Sequence, residues 1–127
     1  MYGFSKNVQS SYEDTIPRVK EALQGEGFGV LTEIDVKSTL RKKLNVEFRK
    51  YIILGACNPP FAHKALSGEI EIGLLLPCNV IVYENDDGGS TVSIINAEKM
   101  LSIAERDAMK ELASEVNAKL QKVLENV

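Results

Sequence analysis

The run Asn85-Asp86-Asp87-Gly88-Gly89 constrains this chain more than any other stretch. It is a cluster of turn-forming residues that tolerate positive φ, and it separates two β-rich segments. An apolar stretch from Ile72 to Glu84, interrupted by Pro77, precedes it, and Thr91 to Ile95 follows. A short connection of this kind joins antiparallel strands, since parallel strands need a long crossover. Helical patterns lie on both sides of the hairpin, so the fold class is α+β, with an antiparallel-rich curved sheet.

The remaining elements fall around that hairpin. Tyr2 to Val8 reads as an opening strand. Ser10 or Ser11 offers an N-cap, after which Tyr12, Ile16, Val19 and Leu23 recur on one helical face. Pro17 fits the first turn of that helix if the helix starts near Asp14, and otherwise bends it. Gly25 and Gly27 stop the helix, and Gly29 to Asp35 alternates as a strand with Val30, Thr32 and Ile34 on one face. Ser38 to Leu44 is a short basic helix ended by Asn45. Tyr51 to Cys57 is a buried strand. Asn58 then caps a short helix that opens on Pro59-Pro60 and ends near Ser67-Gly68. Pro77 marks a bulge or an edge in the strand from Ile72 to Glu84. A long helix from about Ser102 to Glu125 closes the chain, its stripe running through Met109, Leu112, Val116, Leu120, Val123 and Val127. The order is β-α-β-β-β-β-α plus short loop helices, with the two main helices on one face of the sheet.

Composition narrows the function classes. With 127 residues, 44% of them hydrophobic, the chain is sized for one domain, residues 1–127, burying roughly two-thirds of its unfolded surface. No window approaches the roughly 18 uncharged apolar residues of a membrane span, and Met1 to Ser10 has no export-type apolar region. The expected setting is therefore cytoplasmic, with no membrane partner. A net charge of −3 and few aromatics speak against nucleic acid as a partner. The charge is unevenly placed. Lys37 to Lys50 holds six basic residues and one acid, whereas Ala65 to Ser90 holds five acids and no base. Such segments are solvated surface in the ordinary case, and otherwise steer a ligand or pair with a second copy.

Motifs that would name a reaction are missing. Gly25-Glu26-Gly27-Phe28-Gly29 runs from helix to strand, the reverse of a phosphate cradle. The single histidine, His63, excludes a two-histidine metal box. Two cysteines, Cys57 and Cys78, are too few for a thiolate zinc site, and a Cys-Cys-His set would need a fourth ligand such as Glu71. The expectation is no cofactor, no metal and no catalytic residues, and whether the chain is an enzyme stays open. What stands out is Leu54 to Asn79, LGACNPPFAHKALSGEIEIGLLLPCN, with a Cys-Asn dipeptide near each end. Cys57 precedes a capped helix, whose dipole and free amides would favour a thiolate. His63 lies on that helix, and Asn79 is an amide in a strand. Together Cys57, Asn58, His63, Cys78 and Asn79 form a candidate polar ligand pocket. The alternative is that both cysteines are inert core residues, Asn58 is only a cap and His63 is solvated.

Three blocks, GFGVLTEIDV (Gly27 to Val36), FRKYIILGACNPPFAHKAL (Phe48 to Leu66) and EIGLLLPCNVIVYE (Glu71 to Glu84), resemble the bacterial and archaeal family catalogued as domain of unknown function 302. The matching motif positions are Cys57, Asn58, Pro59, His63, Leu76, Pro77, Cys78 and Asn79. The resemblance implies a compact α+β domain grouped with TATA-binding-protein-like folds, and a homodimer. It implies no chemistry, and a fold shared with a DNA-bending protein does not make a DNA binder. The functional expectation is a small domain that binds a small-molecule ligand or senses through a thiol. In that reading Cys57 is the reactive thiol, Asn58 and Asn79 are polar anchors, Cys78 is a resolving or second contact, and His63 accepts a proton. The other expectation is a homodimeric interaction module with inert cysteines.

Overall fold

The computed structural model describes residues 2–127. Among them, β1 (Gly3–Val8), β2 (Gly29–Asp35), β3 (Tyr51–Cys57), β4 (Cys78–Glu84) and β5 (Ser90–Ile95) form one sheet. Its order is β1-β5-β4-β3-β2, and every neighbouring pair is antiparallel. The Asn85–Gly89 hairpin is where the sequence puts it. Gly88 takes φ 87°, open to glycine at little cost, and the Asn85 amide donates to the Gly89 carbonyl at 2.8 Å.

The helices are α1 (Tyr12–Gly25), α2 (Val36–Leu44), α3 (Pro59–Gly68), α4 (Ala97–Leu101) and α5 (Asp107–Glu125). Ser11 caps α1, its Oγ accepting from the Asp14 amide at 3.1 Å. Strand residues alternate between faces, so Ile52 and Leu54 of β3, Val80 and Val82 of β4, and Val92 and Ile94 of β5 all point to one side. Val19 and Leu23 of α1 and Val116, Leu120 and Val123 of α5 close over them in a single cluster. Each such side chain contributes roughly 1.5–3 kcal/mol on burial. The two main helices thus share one face, each burying the stripe that its 3.6-residue periodicity marks. A second cluster, with Ala65, Ile72, Leu101, Met109 and Leu112, gathers α3, α4 and the first turns of α5.

Helix α1 begins at Tyr12, so of the two cases open for Pro17 the interior one holds. Three local expectations are corrected. The β2 residues Val30, Thr32 and Ile34 do not share a face. The register shifts between Val30, opposite Ala56, and Thr32, opposite Gly55, so a bulge turns Thr32 and Ile34 to the side away from α1 and α5. The strand expected from Ile72 to Glu84 is a 3₁₀ segment, Ile70–Leu75, and only β4 beyond Pro77 is extended. The last long helix starts at Asp107, after α4 and a 3₁₀ turn over Ser102–Ala104.

The oppositely charged segments meet within the chain. Lys50 pairs with Glu13 and reaches Glu84 at 3.8 Å, and Arg49 reaches Asp86 at 3.9 Å. No helix among the described residues is long and apolar enough to cross a membrane.

Candidate functional site

The chemistry-bearing residues converge where β3 runs out and β4 begins. Cys57 is the last residue of β3, and Asn58 caps α3. The Asn58 carboxamide turns to the backbone: Oδ1 accepts from the Phe61 amide at 3.5 Å, and one Nδ2 hydrogen is donated to the Glu26 carbonyl at 3.4 Å. It therefore ties the start of α3 to the turn that follows α1. Pro59 and Pro60 occupy the first two positions of α3 and carry no N–H. With the Phe61 amide taken by Asn58, the helix offers no free donor there. The amides expected to stabilise a thiolate or another anion are accordingly absent, and the Ala62 amide closes the first helical turn on the Asn58 carbonyl at 2.9 Å.

Beside this cap lies a cavity of about 340 Å³, bounded by the ends of β2, β3 and β4, by α3, and by the first half of α5. Its walls are Phe28, Leu31, Ala56, Phe61, Ala62, Ala65, Leu66, Leu76, Pro77, Leu101, Leu112 and Val116, together with Thr32, Cys57, Asn58, Gly73 and Cys78. None of these residues is charged. The pocket expected to be polar is largely apolar: Asn58 is turned to the backbone, and the other polar side chains of its wall are two thiols and one hydroxyl. A cleft of this volume falls at the lower end of the range that small ligands occupy.

The β2 bulge shapes one wall. It leaves Leu31 68% exposed at the cavity and sets Thr32 over Gly55. A Cβ on Gly55 would meet Thr32 Oγ1 at 2.1 Å and Pro77 Cγ at 2.9 Å, so glycine there is a requirement of close approach. Cys57 lies two residues beyond Gly55 on the same side of β3.

Of the five residues singled out in the sequence, three border the cavity: Cys57, Asn58 and Cys78. His63 is exposed on α3 and is not part of its wall. Asn79 is exposed on the sheet face turned away from α1 and α5, paired with Gly55. The two thiols differ. Cys57 is half-buried, whereas Cys78 is only 8% exposed, and burial, with the neighbouring Cys57 second, pushes its thiol up to about 11. Cys78 pairs with Ala56, one register position from Cys57, so the cysteine side chains leave the strands on opposite sides. Diverging Cβ directions do not suit a disulfide. No group of three metal-ligating side chains is found among the described residues. Sequence reasoning missed Thr32 and the α5 wall, Leu112 and Val116. Those two α5 positions were visible as part of the apolar stripe, but a stripe does not say which of its members stop short of full packing.

Comparison with known proteins places these features in a family. The family model described as "Domain of unknown function DUF302" matches residues 4–127. An uncharacterized protein of Aquifex aeolicus (strain VF5) is 30% identical over 90 residues, 71% of this chain. The match spans 56% of that relative, so the chain covers about half its length. A crystal structure of an uncharacterized conserved DUF302 protein from Bacillus stearothermophilus superposes with a TM-score of 0.91 at 29% identity, over 99% of this chain and 98% of the other.

Proposed function

We propose that this chain, which belongs to the domain of unknown function DUF302 family, binds a small ligand in the cavity beside α3, with Cys57 as its accessible thiol. The observation that carries this reading is the cavity itself: about 340 Å³ of uncharged space with an almost wholly apolar wall, built jointly by the sheet end, α3 and α5. An apolar cleft with a few polar groups at its edge is the usual form of a small-ligand site. Cys57 is the thiol that would report on it, by alkylation or by contact with the ligand. Cys78, buried and held protonated, is a wall atom in this reading and not a resolving partner. Alkylation of the native protein, with the two cysteine peptides separated by mass, tests the assignment. Cys57 should label in the folded state and Cys78 only on unfolding, and saturation with an apolar ligand should slow Cys57. Equal labelling of both, or none at either, would contradict it.

A second reading, association with another copy, is favoured by a different observation. On the sheet face away from α1 and α5, Tyr51, Ile53, Ile81 and Tyr83 are half-buried and Ile34 is 49% exposed. Beside that face α2 buries none of its residues, and Leu44, Val46 and Phe48 stand exposed. A contiguous apolar face of this kind is a common site of homodimer contact. Light scattering across a hundredfold range of protein concentration would show a dimer mass. A monomer throughout would remove this reading and leave the cavity untouched.

A further inference from the structure

Resting on the ligand-binding reading, we infer that the cavity takes a hydrocarbon chain of roughly a dozen carbons, the tail of an amphiphile whose polar head stays at the rim. The wall favours such a tail from floor to rim. Its floor is buried and apolar, made by Phe28, Ala56, Ala65, Leu101, Leu112 and Val116. Its rim is apolar as well, with Leu31 exposed and Phe61, Leu66 and Leu76 half-buried. Asn58, Thr32 and the two cysteines add almost no polar surface to it. A polar group carried to the floor would therefore exchange water for hydrocarbon, which is costly. The same group held at the rim keeps its water.

Position and capacity favour a chain over a compact ring. The cavity lies in the seam between the two core clusters: Phe28, Ala56 and Val116 belong to the first, Ala65, Leu101 and Leu112 to the second. A seam between two packed bodies admits a flexible chain that bends along its walls. Most of that wall is aliphatic, with Phe28 and Phe61 supplying its aromatic rings. An apolar cavity of about 150 Å³ holds the six carbons of benzene, so about 340 Å³ holds roughly a dozen. Fatty alcohols, fatty acids and the acyl tails of lipids share this chemistry.

The n-alkanols from hexanol to tetradecanol supply the test. Their affinities for the full chain are measured by calorimetry, the longest by competition with octanol. Affinity should rise about fourfold per carbon, the worth of one buried methylene, and level off near roughly twelve carbons, where the cavity is full. Decanoate should match decanol within about threefold, because its head stays in water. Two variants move the limit in opposite directions. Ala65→Leu fills the floor and should shorten the limit by about three carbons, whereas Val116→Ala opens it and should lengthen the limit by about two. Amide spectra check that each variant folds, and the wild-type limit is a test by itself where one does not. A rise unbroken to tetradecanol, or an unmoved limit in a folded variant, would overturn the chain assignment. Failure of every alkanol where indane binds would do the same. Loss of decanoate alone would overturn the placing of the head at the rim. Failure of indane and the alkanols alike would instead overturn the ligand-binding reading on which the inference rests.

Discussion

Gly55 shows how much one residue decides here. It occupies the middle of a buried strand, where a side chain would ordinarily add packing, yet Thr32 and Pro77 already fill the space a Cβ would need. Gly55→Ala should therefore destabilise the protein by about 1–3 kcal/mol, the usual scale of overpacking, read as a fall in the denaturant midpoint. In a Thr32→Ala background the same change should cost less, because the hydroxyl that clashes is gone. Additive costs would show that the two residues are not coupled. Cys78 makes a second prediction at this scale. Burial raises its thiol from the ordinary 9.0 to about 11, so the folded state holds a proton that the unfolded chain releases. Its contribution to stability is full below pH 9 and falls away between pH 9 and about 11. Cys78→Ala should flatten the start of that alkaline loss in a series of denaturation curves. An unchanged slope from pH 9 to 10 would contradict the assignment. The loss attached to Tyr12, raised to about 12 mainly by burial, begins higher, above its ordinary 10.0.

Elements were legible in the sequence wherever periodicity ran long or a cap stood in plain view. The α1 stripe, the Asn58-Pro59-Pro60 entry to α3, the Asn45 stop of α2 and the Asn85–Gly89 hairpin all lie where residue chemistry puts them. What failed was short or irregular. Within Ile70–Leu75, Ile72 to Leu75 is a short apolar run, of a length at which strand and helix patterns coincide, so it read as extended. The bulge in β2 leaves no mark in composition, since only pairing with β3 reveals that Leu31 is the extra residue. Helix α4 has five residues, too few for a stripe, and its support is tertiary. Asn117, buried in α5, accepts from the Ala97 amide at 2.6 Å and donates to Asn96 Oδ1 at 2.8 Å. Asn96 in turn caps α4 through the Glu98 and Lys99 amides. Asn117→Ala should thus cost about 1–3 kcal/mol by stranding the Ala97 amide, and hydrogen exchange should speed first in α4. Unchanged protection of α4 would contradict this.

At the scale of the whole molecule the two faces of the sheet have separate roles. One face and the two long helices make the core, with the cavity at its end where Leu112 and Val116 meet α3. The other face keeps an apolar centre with no helix of the core over it. Of the site, the sequence showed the two cysteines and the cap. It did not show that the space between them is apolar, because that follows from Asn58 turning its amide to the backbone and from two prolines removing the donors of α3. Titration of the full chain with indane, an uncharged apolar probe, followed by amide nitrogen–proton correlation spectra, addresses the central claim most directly. Resonances of Phe28, Phe61, Ala65 and Val116 should move in a saturable way, while those of Tyr51, Ile53 and Ile81 on the open face stay in place. Shifts confined to the open face, or none up to the solubility limit of the probe, would mean that the cavity is not a binding site.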